Sequence, residues 1–220
     1  MGASERDEFL RAAWVVMVAR EIAAERLVFV DECSTNTSLA PLYARSRRGE
    51  RAFCSLPRNW GANVTLLASM SVGGMGPCLA VEGSTTREVL EAHLERALAP
   101  SLRPGQVLVM DNLSSHKGGR VKELIEERGC ELMYLPPYSP DLNPIEEAFA
   151  KIKALLRNAG ARTREALIEA MGRERWRRLR RTPAASSSTA ATALQPNCYD
   201  RRSRGALRRR ANRGRDAAPP

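Results

Sequence analysis

The chain has 220 residues, a formal net charge of +10, 43% hydrophobic residues and a mean hydropathy of −0.37. That is room for one domain with a sizeable core, with or without a tail, in a water-soluble globular protein. The charge does not mark the fold as basic. From Arg173 onward 14 Arg stand against 3 acidic residues, net +11, leaving 21 basic and 22 acidic residues, net −1, in 1–172. The longest apolar stretch, Ala12–Ala19, is far too short for a membrane span, and three acids precede it. Neither a membrane protein nor an exported one is expected. Five cysteines without close pairs and only two histidines exclude a disulfide framework and a zinc cluster. A cytoplasmic setting follows, with Cys54 and Cys78 expected as small core residues.

Residues 8–24 are Ala-rich and lack Gly and Pro, which predicts a helix. LVFVD (27–31) fits a central strand ending in an acid, and 36–53 reads as a loop or hairpin arm turning at Arg48–Gly49. The β-rich run 63–74, its Gly-Gly turn and the returning run 77–83 predict an antiparallel hairpin. Thr85 and Glu88 have the spacing of a capping box for a helix with the stripe Leu90, Leu94, Ala97 and Leu98, ended by Pro100. VLVMD (107–111) repeats the strand-then-acid pattern, 117–128 predicts a helix closed by Gly129, and CELMYL (130–135) a strand. After PPYSPDLNP (136–144), Asn143 and Pro144 read as the cap and first residue of a helix to Arg157, and another helix starts at Thr163–Met171. Such an alternation predicts an α/β fold, a mixed sheet flanked by helices. The segment from 173 on has Arg clusters, a Ser/Thr/Ala stretch and no apolar period, the composition of a disordered tail.

Asp31 and Asp111 each close a four-residue apolar strand. On neighbouring strands their carboxylates emerge together, which is unfavourable unless a cation lies between them or one is protonated. A hard divalent ion takes such oxygen ligands. Either acid could also simply punctuate a strand end. A third candidate is Glu146 or Glu147. With Ile145, Phe149, Ile152 and Leu156 as the buried stripe of the last long helix, Glu146 lies at the border of core and cleft, Glu147 farther round. Glu146 shares its face with Lys153 and Arg157, which could meet a phosphate backbone. As an acid in a first helical turn it also has a purely stabilising reading.

The stretches VMDNLSSH (109–116) and YLPPYSPDLNPIEEAFAKIK (134–153) resemble the catalytic domain of mariner-like DDE transposases, most closely bacterial insertion-sequence relatives. The resemblance spans about residues 8–171, and the arginine-rich 45–52 segment is similar to the arm between the family's first two strands. It implies a ribonuclease H-like fold with a five-stranded mixed sheet, and a triad of Asp31, Asp111 and Glu146, the last two separated by 34 residues. That triad would hold two Mg²⁺ or Mn²⁺ ions, Asp31 bridging both, for DNA strand cleavage and strand transfer. Asn112 and His116 match the family's accompanying polar residues. His116 could contact DNA, orient a ligand or merely start a helix. The proline-rich loop either positions Glu146 rigidly or simply connects strand to helix. Double-stranded DNA is the implied partner, a homodimer the implied assembly.

Two departures from the family pattern stand out. Only 26 residues precede the first strand, fewer than a helix-turn-helix DNA-binding region needs, so 27–172 is expected to be an isolated catalytic domain behind a lead-in of 1–26. The abrupt change to Arg-rich sequence near residue 172 suggests a frameshift-derived ending, the competing reading being a basic tail that holds DNA nonspecifically. A catalytically inactive remnant that only binds nucleic acid is the alternative function.

Overall fold

The computed structural model describes residues 6–41, 43–56, 58, 61–113 and 118–172. The arginine-rich segment from 173 on lies outside the described residues. Helix α1 (Glu8–Glu21) starts where the Asp7 side chain accepts from the backbone N–H groups of Phe9 and Leu10 at 2.9 and 3.0 Å. Strand β1 (Leu27–Thr35) follows, then an irregular arm, then the antiparallel pair β2 (Val64–Ser71) and β3 (Gly74–Glu82). Helix α2 (Arg87–His93) runs on into a wider turn at Leu94–Leu98. Strand β4 (Val107–Met110), helix α3 (Gly119–Glu126), strand β5 (Glu131–Tyr134), helix α4 (Ile145–Ala159) and helix α5 (Arg164–Gly172) complete the order.

The sheet has the order β3-β2-β1-β4-β5. β1 pairs antiparallel with β2 and parallel with β4, and β4 pairs parallel with β5. The mixed five-stranded sheet flanked by helices is therefore the one expected. Leu27–Val30 and Val107–Met110 are all buried, as central strands covered on both faces must be. Alternation sorts them. Leu27, Phe29, Cys33, Val107 and Val109 face Trp14 and Val18 of α1, the Ile145, Phe149, Ile152 and Leu156 stripe of α4, and Leu167 and Met171 of α5. Val28, Val30, Leu108 and Met110 face Leu90, Leu94 and Leu98 on one side and Val121, Leu124 and Ile125 of α3.

Two local expectations are corrected. Thr86, not Thr85, caps α2, its hydroxyl accepting from the Val89 N–H at 3.5 Å, while the Thr85 hydroxyl is buried and unpaired. One residue of chain before the helix suffices to move the cap, and Glu88 then loses the capping-box position. Cys54 and Cys78 are exposed: the first lies in the arm, the second on the edge strand β3. Among the described residues of 36–63 there is no strand, so the loop reading of the arm holds, with Gly49 at φ +89° in its turn.

Phe149 is 1% exposed and sits at the centre of the α4–sheet interface. Phe149→Ala is expected to destabilise the chain by about 3–5 kcal/mol through lost burial and the cavity it leaves. Urea denaturation against the unaltered chain measures this.

Candidate functional site

Met110 is the last residue of β4 and pairs with Val30, whereas β1 continues to Thr35 alongside β2. Asp31 and Asp111 are thus the next residues of two in-register parallel neighbours, about 4.8 Å apart across the sheet. Both are half-buried. Asp31 continues the row of Leu27 and Phe29 on the α4 side, at the carboxyl ends of β1, β4 and β5, where parallel sheets bind ligands. The Asp31 Oδ1 accepts from the Glu32 backbone N–H at 2.7 Å. The Asp111 Oδ1 accepts from the Leu113 N–H at 3.5 Å.

The proline-rich loop returns from β5 across this end of the sheet. Tyr138 stands at φ +53°, a left-handed conformation unusual for a bulky residue, with its ring 56% exposed. Pro140–Leu142 then makes one tight turn. The loop is braced from α1. The buried Arg11 grips Asp141 with two hydrogen bonds, Nη1 to Oδ1 at 3.0 Å and Nη2 to Oδ2 at 2.5 Å. Burial alone would raise the Asp141 carboxyl, but the Arg11 guanidinium outweighs it and holds the group below the usual carboxylate range.

Asn143 overturns its sequence reading. Pro144 occupies the cap position of α4, and no side chain caps that helix. The Asn143 side chain is buried instead, and its Nδ2 donates to the Asp31 Oδ2 at 2.8 Å. A run of Asn-Pro before an apolar period looks like a helix start, and nothing in that pattern signals a bond to a strand 112 residues away.

Glu146 lies in the first turn of α4 with its side chain exposed, as is Glu147. Glu146 and Asp31 both act on the Cys33 thiol, which lies two residues along β1 from Asp31. Burial pushes that thiol up, the Lys153 ammonium hydrogen-bonded to it pulls the other way, and the two carboxylates add to the rise. Cys33 is buried, and Lys153 on α4 is half-buried. Arg157 is half-buried one turn on, and Asn112 is exposed beside Asp111. His116 lies outside the described residues. Among the described residues no three His, Cys, Asp or Glu side chains converge into a ready-made metal cage. The donors at this end of the sheet are oxygens, however, and the buried Asn143 Oδ1 beside Asp31 has no partner. That donor chemistry fits a hard divalent cation better than a soft metal.

Among known sequences, the DDE superfamily endonuclease family matches residues 26–168. The chain belongs to that family. It is similar to the "Transposable element Tcb1 transposase" of Caenorhabditis briggsae, with 30% identity over 120 residues, which are 53% of this chain and 44% of that protein. The chain thus spans less than half the length of that relative. Its fold is that of the mariner Mos1 paired end complex with Mg, at a TM-score of 0.66 and 16% identity over 88% of this chain and 62% of that one. The Mos1 transposase catalytic domain, solved with raltegravir and Mg, matches at a TM-score of 0.56 and 16% identity, over 86% of this chain and 87% of that one. The ribonuclease H-like architecture expected for this endonuclease domain is thereby shown.

The Arg11–Asp141 pair generates a pH-dependent prediction. Asp141→Asn should cost about 1–2 kcal/mol at pH 7, the value of a charged hydrogen bond discounted for the exposed side of the carboxylate. Because the folded carboxyl titrates below its unfolded value, the contribution is complete above about pH 4 and fades as the pH falls further. Urea midpoints at pH 7 and pH 3 should show the gap between wild type and variant narrowing at the lower pH.

Proposed function

We propose that this chain is the catalytic domain of an insertion-sequence-type transposase, cutting and joining DNA strands with two Mg²⁺ or Mn²⁺ ions. The observation that carries this reading is the in-register placement of Asp31 and Asp111 at the carboxyl ends of two parallel strands, on the face that α4 covers. Asp31, Asp111 and Glu146 would hold the ions, Glu146 by swinging its exposed side chain inward from the first turn of α4. Bound there, such ions supply an activated attacking oxygen and stabilise the leaving one in an in-line displacement.

The protein's own groups do the rest. The β1–β4 pairing sets the spacing of the two aspartates, and the Arg11–Asp141 clamp sets the loop that delivers Glu146. For the DNA partner, the exposed arginines 45, 47, 48, 51 and 58 of the arm, with Lys153 and Arg157 on α4, offer phosphate contacts. Asn112 beside Asp111 would act as an accessory polar group, and the family resemblance gives His116 the same role. A homodimer working on paired ends belongs to the same reading, as does a cytoplasmic setting. The alternative, a remnant that binds DNA without cutting it, draws on the absence of a preformed three-residue cage among the described residues.

Asp31→Asn, Asp111→Asn and Glu146→Gln should each lower Mn²⁺-dependent cleavage of a DNA duplex by on the order of 10³-fold or more, since the ion contributes several kcal/mol to the transition state. Filter binding of the same duplex should remain close to wild type. A triad variant that still cuts defeats the assignment, and a wild-type chain that binds DNA but neither Mn²⁺ nor cuts establishes the remnant.

A further inference from the structure

We infer that Asn143 is a positioning residue for the ion site, holding the Asp31 carboxylate with its amide N–H and offering its amide oxygen to water that the ion brings; this rests on the metal-site reading above. Three observations converge on it. Asn143 is 3% exposed, its Nδ2 donates to the Asp31 Oδ2 at 2.8 Å, and its Oδ1 is buried without a partner.

The orientation of the amide is dictated by its neighbour. A carboxylate that holds a cation is ionised and only accepts hydrogen bonds, so at an ion site the NH₂ group faces Asp31 and the oxygen faces away from it. Reversing the amide would set two acceptors against each other. The unpaired oxygen is therefore a consequence of the bond to Asp31. Buried polar atoms without partners are uncommon in native folds, and one adjoining a carboxylate on a strand end calls for a donor. Mg²⁺ keeps several waters when protein carboxylates bind it, and their hydrogens are donors.

The amide is also immobilised. Asp141, two residues earlier, is clamped by Arg11 at 3.0 and 2.5 Å. Leu142 and Ile145 on either side are 2% and 0% exposed. Asn143 does not cap α4, whose cap position is taken by Pro144, so the helix start does not account for an amide here.

The test uses the full chain. Mn²⁺ is titrated calorimetrically into wild type, Asn143→Ala and Asn143→Asp, and melting midpoints are recorded with and without Mn²⁺. Loss of a group that orients a ligand lowers metal affinity by about ten- to a hundred-fold, and Asn143→Ala should fall in that range. Asn143→Asp sets a second anion beside Asp31, so its metal-free midpoint should drop and Mn²⁺ should raise it by more than it raises the wild type. A merely structural asparagine predicts otherwise: Asn143→Ala would melt lower by the same margin with and without Mn²⁺, and bind the ion within about two-fold of wild type. That result overturns the inference. Should Asn143→Ala fail to fold, Asn143→Asp decides, since equal destabilisation with and without the ion overturns it too. A wild type that takes up no Mn²⁺ defeats the metal-site reading and this inference together. A wild type that binds, beside an Asn143→Ala chain that binds equally, defeats this inference alone.

Discussion

The parallel pairing of β1 with β4 organises everything else in the molecule. Its register, Leu27 with Val107 through Val30 with Met110, makes Asp31 and Asp111 neighbours and leaves their carboxylates at the same end of the sheet. Two like charges so placed repel unless a cation lies between them or one is protonated. The same four pairs of residues supply the two-sided core, so the apolar burial that stabilises the domain also determines where the acids emerge. Structure and chemistry share one ladder of hydrogen bonds.

The second organising contact is the grip of α1 on the loop before α4. Arg11 is an almost fully buried cation, and its partner Asp141 belongs to the segment that carries Asn143 and, three residues farther, Glu146. Burying a guanidinium is costly unless a carboxylate meets it, so the pair is worth more as a locator than as a source of stability. Removing either member takes away the two-pronged contact that ties the loop to α1, while Glu8 stays beside Arg11 and Arg6 beside Asp141. The lead-in helix is in this sense part of the support of the site.

Much of this was legible from residue pattern. The two strand-then-acid runs, the hairpin at 63–83 and the α4 stripe all follow from short-range periodicity, and in each case local preference agrees with tertiary placement. The stretches around Asp111 and Glu146 also carry the family resemblance that the comparisons show. What stayed hidden depended on long-range geometry. Asn143 has the neighbours of a helix cap, and only the folded chain brings it to Asp31. Arg11 in an Ala-rich helix reads as a solvated charge until Asp141 arrives from 130 positions away. Cys54 and Cys78 were misplaced because composition reports what a cysteine prefers, whereas an arm and an edge strand decide what it gets. The Thr85-to-Thr86 shift is a one-residue boundary effect of the kind that helix ends show.

The order of strands also governs how the chain can be made. β1 emerges early from a ribosome and can pair at once with β2, but its other edge waits for β4, roughly 75 residues later, a delay of about 4–15 s at ordinary synthesis rates. Throughout that interval Leu27–Val30 is an apolar edge with unpaired backbone groups, the kind of template that recruits other chains. A nascent chain stalled before Val107 has a β-meander with one naked side and a lone Asp31. The acidic pair exists only once synthesis has passed it, so the carboxylates cannot capture an ion together before the sheet around them has closed.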